Sequence, residues 1–475
     1  MRLAGKHVLV LGLGESGLAM AAWCARLGAR LRVADTRPQP PGLAELQRRV
    51  GAVEFVAADF VKTPDKNLLA GVDALCLSPG LSAGSLLVLE ARARGIPVLG
   101  EIELFAQALR DLQPPGTGRA PCQVISITGT NGKTTTTALT AHLCRAAGRD
   151  AEAAGNISPA ALTTLMARLD AGRLPDIWVL ELSSFQLKTV NSLAADAATV
   201  LNISDDHLDR YIDLADYAAA KQRIFQGCGV QVLSRDDERV RKMAIPGRRL
   251  ISFGSDAPGM VDDFGLRENH GEPWLVQGDR FLLALSELPL AGQHNAVNAA
   301  AALALCHALG LPLLPLIQGL RSFAGLPHRV QLVGEHGGVR WYDDSKGTNV
   351  GATVAALRGL AGRGRNIVLI AGGEGKGQDF SPLAPALAQC AQALILIGRD
   401  ASLIAAAVAG SGVPLHRAAD MEAAVAQAAA LAGAGDIVLL SPACASFDMF
   451  RDYAHRAEVF VAAVNRQALT GRAAG

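Results

Sequence analysis

The chain has 475 residues, 45 Lys and Arg against 44 Asp and Glu, with half of its residues hydrophobic and 4% aromatic. At about 150 residues per domain that length points to roughly three domains and excludes a single small stapled module. A formal charge of +1 excludes a global field that would draw the chain to nucleic acid or anionic lipid, so any phosphate affinity is local.

The hydrophobic share disfavours disorder and fits Ala- and Leu-rich helices on buried strands, so an α/β class is expected. Cys24, Cys76, Cys122, Cys144, Cys228, Cys306, Cys390 and Cys444 are scattered without metal-cage spacing and read as reduced thiols in a cytoplasmic protein. Arg2 and Lys6 precede the apolar run Val8 to Leu11, but Gly12, Gly14 and Glu15 interrupt it before it resembles an export signal. The stretch between Glu287 and Arg321 carries no formal charge; Gln293, His294, Asn295, Asn298, His307, Pro312 and Pro315 argue against a membrane span.

Short apolar strands alternate with helical segments almost from end to end, as in parallel sheets built from βα units. Expected strands cover His7 to Leu11, Leu31 to Ala34, Val124 to Thr128, Ile177 to Leu180, Ala197 to Leu201, Asn366 to Ala371, Ala393 to Ile397 and Asp436 to Leu440. A Pro- and Gly-rich linker at Asp111 to Pro121 and a change of pattern at Ala324 to Pro327 divide the chain into 1–120, 121–325 and 326–475.

Gly12-Leu13-Gly14-Glu15-Ser16-Gly17 follows the first strand and opens a helix, and Asp35 ends the next strand. Such a turn brings backbone N–H groups and a helix N-terminus to a diphosphate, without distinguishing a nicotinamide dinucleotide from a UDP-sugar. Gly129-Thr130-Asn131-Gly132-Lys133-Thr134-Thr135 is sharper. The loop would wrap phosphates, Lys133 would reach the terminal ones and Thr134 could hold Mg²⁺, although Ile127 stands where the general pattern has its first Gly.

Glu181 ends an apolar strand and is placed to hold Mg²⁺ beside that loop. The acids Asp205, Asp206 and Asp209 either complement a helix dipole or, with His207, serve a metal or a proton. Taken alone, Lys221 in its helical run reads as an ordinary surface lysine. Loops at Asp343 to Asn349, Gly372 to Gly377 and Ser441 to Phe447 follow strands and converge on one sheet edge, where Lys346 and Lys376 would meet a small anionic substrate.

These motifs, with Glu181-Leu-Ser-Ser, Asn202-x-x-x-Asp206-His207, His294-Asn295-x-x-Asn298 and Pro327-His328-Arg329, resemble those of the Mur ligases over essentially the whole chain. The resemblance implies a UDP-binding Rossmann-like first domain, a P-loop-type ATPase middle domain and a Rossmann-like last domain. It implies an ATP-dependent ligase of peptidoglycan precursor synthesis that joins glutamate, D in configuration, to UDP-N-acetylmuramoyl-L-alanine through an acyl phosphate. Ser16, Asp35, Thr36, Arg37 and Ser78 would then contact the UDP moiety, with Asn156 near the muramoyl part. The loop Gly129 to Thr135, Asn298, Arg329 and Asp344 would serve ATP; Thr134, Glu181, His207 and a carbamylated Lys221 would serve Mg²⁺.

Lys346, Thr348, Lys376, Ser446 and Phe447 would surround glutamate, and Lys133, Asp206, His207, Lys221 and Lys346 would carry the chemistry. A monomer acting on these small molecules is expected. Glu15, at a position where an apolar residue is common in the family, and the long insert before Pro121 depart from the family's pattern. An L-glutamate-adding variant or another amide ligase of the family are alternatives. A nicotinamide-dependent dehydrogenase would leave Gly129 to Thr135 unexplained, and a non-catalytic nucleotide switch would bind ATP without substrate-dependent hydrolysis.

Overall fold

The computed structural model describes residues 3–60, 65–113, 122–206, 210–361 and 364–473. The strands of the first sheet are β1 (His7–Leu11), β2 (Arg30–Asp35), β3 (Glu54–Ala57), β4 (Ala74–Leu77) and β5 (Val98–Leu99), all parallel in the order β3-β2-β1-β4-β5. The order reverses between β1 and β4, which opens a crevice at their carboxyl ends. There the Gly-rich turn meets Ser78.

The second sheet contains β6 (Gln123–Thr128), β7 (Ala151–Gly155), β8 (Ile177–Glu181), β9 (Ala197–Val200), β10 (Val230–Ser234), β11 (Arg249–Phe253), β12 (Phe264–Asn269), β13 (Glu272–Gln277) and β14 (Arg280–Ala284). Their order is β14-β13-β12-β11-β10-β9-β6-β8-β7, and only the β12–β14 meander is antiparallel. β6 and β8 are buried along nearly their whole length because helices cover both faces, so they read as continuous apolar runs. β8 runs one residue beyond expectation and carries Glu181 as its last residue; β9 stops one residue short, at Val200.

The third sheet, β15 (Gln331–His336), β16 (Val339–Asp343), β17 (Ile367–Gly372), β18 (Ala391–Ile397), β19 (Leu415–Arg417) and β20 (Ile437–Leu440), has the order β15-β16-β20-β17-β18-β19. β15 alone is antiparallel to its neighbour. β17 and β20 each begin one residue later than expected, and β18 begins two earlier. The expected linker falls largely on 114–121, outside the described residues.

The helix Glu101–Asp111 runs between the first two sheets and packs Phe105 edge-on against Trp178, with ring centroids 5.1 Å apart. Val8, Phe105, Trp178 and Tyr217 belong to one continuous core shared by both sheets. The third sheet keeps its own cores on its two faces. The charge-free stretch forms helices Gln293–Ala308 and Leu313–Ser322, and among the described residues no helix is long and apolar enough to cross a membrane. All eight cysteines are buried and unbridged.

Candidate active site

At the first sheet, Gly17 cannot carry a side chain: a Cβ there would sit 1.9 Å from the Gly12 carbonyl oxygen, so this glycine lets the helix Glu15–Arg26 start hard against the turn. Asp35 accepts hydrogen bonds from Leu13 N–H (2.7 Å) and from Arg37 N–H, Nε and Nη2 (2.8 to 2.9 Å). Burial alone would raise its pKa, but these donors outweigh burial and hold the carboxyl at about 2. Thr36 and Arg37 are exposed beside it, and Ser78 is buried under Gly12. Asp35 thus shapes the turn and fixes the Arg37 guanidinium.

A cleft of about 900 Å³ opens between the second and third sheets. Its floor is the phosphate loop, and Gly132 caps the helix Lys133–Ala146 in the left-handed region at φ +81°, where a Cβ would collide with Asn298 Oδ1 at 2.5 Å. Lys133 Nζ donates to the carbonyls of Gly129 (2.9 Å) and Thr130 (2.7 Å). Burial pushes its pKa down, against the pull of Glu181 and Asp206.

Asn202 braces the loop from the end of β9: its Oδ1 accepts from Asn131 N–H at 2.8 Å and its Nδ2 donates to Asn131 O at 3.1 Å. Glu181 is buried. Its Oε1 accepts from Asn156 Nδ2 at 2.7 Å, whereas Oε2 accepts no hydrogen bond among the described residues. A buried carboxylate oxygen without a donor, beside a phosphate loop, fits a cation better than it fits a solvated strand end. Among the described residues no three His, Cys, Asp or Glu side chains cluster to hold a metal, and His207 and Asp209 lie outside those residues.

Lys221 departs from the surface reading. It is 1% exposed, on the helix Leu214–Gln222, with Nζ donating to Gly129 O at 2.8 Å and lying 4.6 Å from the Tyr217 ring centroid. Burial, then the charge of Lys133, drives its pKa well below the usual lysine value. Asp206 lines the cleft, and residues 207–209, which follow it, lie outside the described residues.

The opposite wall comes from the third sheet. Arg329 donates to Thr134 Oγ1 at 2.7 Å, and Asn349 Nδ2 to Asn131 Oδ1 at 3.0 Å. Asp344 accepts from Ser441 Oγ at 2.7 Å; burial lifts its pKa to about 7 despite Ser441 and Arg329. Lys346 and Thr348 line the cleft with Asn298. Lys376, Ser446 and Phe447 do not: Lys376 is exposed, 5.7 Å from the Phe447 ring centroid, and Ser446 is buried. The loops that bear them do converge, through the bridge between Glu374 and Ala445 and the bond from Ala443 N–H to Gly347 O.

Sequence reading passed over Tyr453, whose ring centroid lies 3.7 Å from Lys346 Nζ and which lines the same cleft. It also passed over the pairing of His328 Nδ1 with the buried Asp343 at 2.7 Å. No local pattern marks either residue.

Three family models match the chain: Mur ligase MurD-like, N-terminal domain over residues 6–100; Mur ligase middle domain over 127–306; and Mur ligase, glutamate ligase domain over 328–444. The chain belongs to the Mur ligase family. Within it, the chain is 59% identical over 467 residues to the UDP-N-acetylmuramoylalanine–D-glutamate ligase of Aromatoleum aromaticum, covering 98% of each. It is 53% identical over 477 residues to the ligase of the same name from Nitrosospira multiformis, covering 100% of this chain and 98% of that one. Among solved structures, the MurF ligase of Thermotoga maritima in complex with ADP superposes with a TM-score of 0.60 at 17% identity, over 98% of this chain and 96% of that one. The UDP-N-acetylmuramate-alanine ligase MurC from Thermotoga maritima gives 0.59 at 19%, over 97% and 99%.

Proposed function

We propose that the chain is an ATP-dependent ligase that joins D-glutamate to UDP-N-acetylmuramoyl-L-alanine in peptidoglycan precursor synthesis. The observation that carries this reading is the single cleft shared by Lys133, Glu181, Arg329, Asp344 and Lys346, with the Gly-rich turn one sheet away. The names of the relatives agree with it.

A carboxylate and an ammonium do not condense in water, so the acceptor's carboxylate takes the terminal phosphoryl group of ATP and becomes an acyl phosphate. Lys133 on the loop and Arg329 on the facing wall would offset the charge of the transferred group. Thr134, the free oxygen of Glu181, His207 and a carbamate on Lys221 would hold Mg²⁺, which supplies further charge neutralisation when bound. Asn298 and Asp344 serve the rest of ATP. The glutamate amine, relieved of its proton near Asp206 or His207, attacks the acyl carbon; the C–N bond forms, the bond to phosphate breaks and phosphate leaves.

Residues 1–120 receive the UDP-sugar through Ser16, Asp35, Thr36, Arg37 and Ser78, with Asn156 toward the muramoyl part. Residues 121–325 bind ATP. Residues 326–475 present glutamate with Lys346 and Thr348 in the cleft and with Lys376, Ser446 and Phe447 on the loops that converge beside it. The enzyme acts as a monomer in the cytoplasm, where its nucleotide substrates are made. Phosphate release with ATP, Mg²⁺, the UDP-linked acceptor and each glutamate enantiomer tests the reading. Release with D-glutamate only, and none from Lys133→Ala, is expected. Equal release with L-glutamate would favour the L-adding alternative, and no acceptor-dependent release would overturn the reading.

A further inference from the structure

Glu15 opens the helix behind the Gly-rich turn, where an acid ordinarily complements the helix dipole. Its carboxylate reaches across to the second sheet instead. Oε1 accepts from Ser158 Oγ at 2.7 Å and from Ala160 N–H at 3.0 Å, both in the loop between β7 and the helix Ala161–Asp170. The next N–H groups of that helix turn to a second acid from the first sheet's side, with Leu162 N–H donating to the buried Glu101 Oε1 at 2.7 Å. One helix N-terminus is therefore received by two carboxylates of the neighbouring unit.

The loop that Glu15 holds also carries Asn156. Its N–H donates to Glu181 O at 2.8 Å and its Nδ2 to Glu181 Oε1 at 2.7 Å. A short line of hydrogen bonds and backbone thus runs from the diphosphate turn, through Glu15, Ser158 and Asn156, to the carboxylate beside the phosphate loop. A carboxylate next to a diphosphate-binding turn repels the ligand unless something turns it away. Here both donors on Oε1 belong to the facing loop, and neither is charged.

We propose that Glu15 is a positioning residue for the acceptor: it fixes the turn that seats the acceptor's nucleotide relative to Asn156 and Glu181, so that the far end of the acceptor arrives at the transferred phosphoryl group. The proposal rests on the ligase reading above. Its working feature is an oxygen that accepts two hydrogen bonds, which a glutamine amide oxygen also supplies; the negative charge is dispensable.

The test compares full-length wild type, Glu15→Ala, Glu15→Gln and Ser158→Ala by kcat and KM for the UDP-linked acceptor, by ATP affinity without acceptor, and by thermal melts. Glu15→Ala should lose about ten- to a hundred-fold in kcat/KM for the acceptor, the scale of an ångström-sized misplacement, with ATP affinity unchanged. Glu15→Gln should stay close to wild type. Ser158→Ala should lose less than Glu15→Ala, and the double variant should be no worse than Glu15→Ala, as coupled partners require. Unchanged acceptor kinetics in Glu15→Ala, with or without a lower melt, would overturn the proposal. So would an equal loss of ATP affinity, or Glu15→Gln failing as badly as the alanine variant. A wild type without acceptor-dependent turnover overturns the ligase reading and this proposal together; a normal wild type with a kinetically unaffected alanine variant overturns this proposal alone.

Discussion

Arg329 of the C-terminal sheet's approach segment donates a 2.7 Å hydrogen bond to Thr134 Oγ1 on the phosphate-loop helix. The side chain is half-buried in the cleft, and its guanidinium reaches the loop from the facing wall. Loss of one preorganised donor to a developing anion typically costs about a hundred-fold or more in rate. Arg329→Ala should fall by at least that factor in phosphate release, and Arg329→Lys should recover only part of it, because a point charge does not reproduce the planar fork. Activity of the alanine variant within a few-fold of wild type would place the guanidinium outside the phosphoryl site.

Lys221 combines complete burial with a strongly depressed pKa, and a neutral amine is the form that reacts with carbon dioxide to give a carbamate. Lys221→Ala is expected to be inactive and to regain measurable turnover with short carboxylic acids, which restore an anion in the vacated space. A fully active alanine variant would remove any role for this lysine, and inactivity with no rescue by any acid would leave the ammonium itself as the required group.

Two groups frame the pH response of the cleft. Burial, and then the charges of Arg329 and Lys133, bring Lys346 down to about 8 against the pull of Glu181. Burial lifts Asp344 to about 7 against Ser441, Arg329 and Val330. Above about pH 8 Lys346 gives up its charge, so KM for glutamate should climb; below about pH 7 Asp344 takes a proton, so ATP affinity should fall. Lys346→Arg stays charged throughout and should flatten the alkaline rise. A glutamate KM that is level from pH 7 to 9.5 would show that Lys346 does not pair with the amino acid.

Gly17→Ala places a Cβ 1.9 Å from the Gly12 carbonyl oxygen, a backbone atom that cannot swing aside. The helix and the turn must then separate, at a cost of about 1–3 kcal/mol. Acceptor KM should rise at least about ten-fold, the range of a lost positioned contact, while ATP affinity holds. An unaltered acceptor KM would mean that the diphosphate does not rest on this turn.

The parts of this molecule that were legible in the sequence are those whose environment is set by their own neighbours in the chain. Central parallel strands such as β1, β6 and β8 are buried on both faces and therefore announce themselves as apolar runs. The β12–β14 meander was not legible: segments such as Glu272–Gln277 mix charge, Pro and Trp and are buried only at Leu275 and Val276. Lys221 was misread because the end of a strand about ninety residues away buries it, with Thr128 and Gly129 meeting an ammonium that Tyr217 of its own helix also covers. Tyr453 and Lys346 stand more than a hundred residues apart and meet only because β16 and β20 are adjacent in the sheet. Glu15 was visible as an oddity in its turn, but its purpose depends on Ser158 and Ala160, which no local window contains.

The first two sheets share one hydrophobic interior while the third has its own, so the polypeptide is two thermodynamic blocks joined along a nucleotide-sized gap. A tight-binding ATP analogue wedged in that gap acts as a rivet. Calorimetry of the bare protein should resolve two melting steps, and saturation with the rivet should fuse them into one.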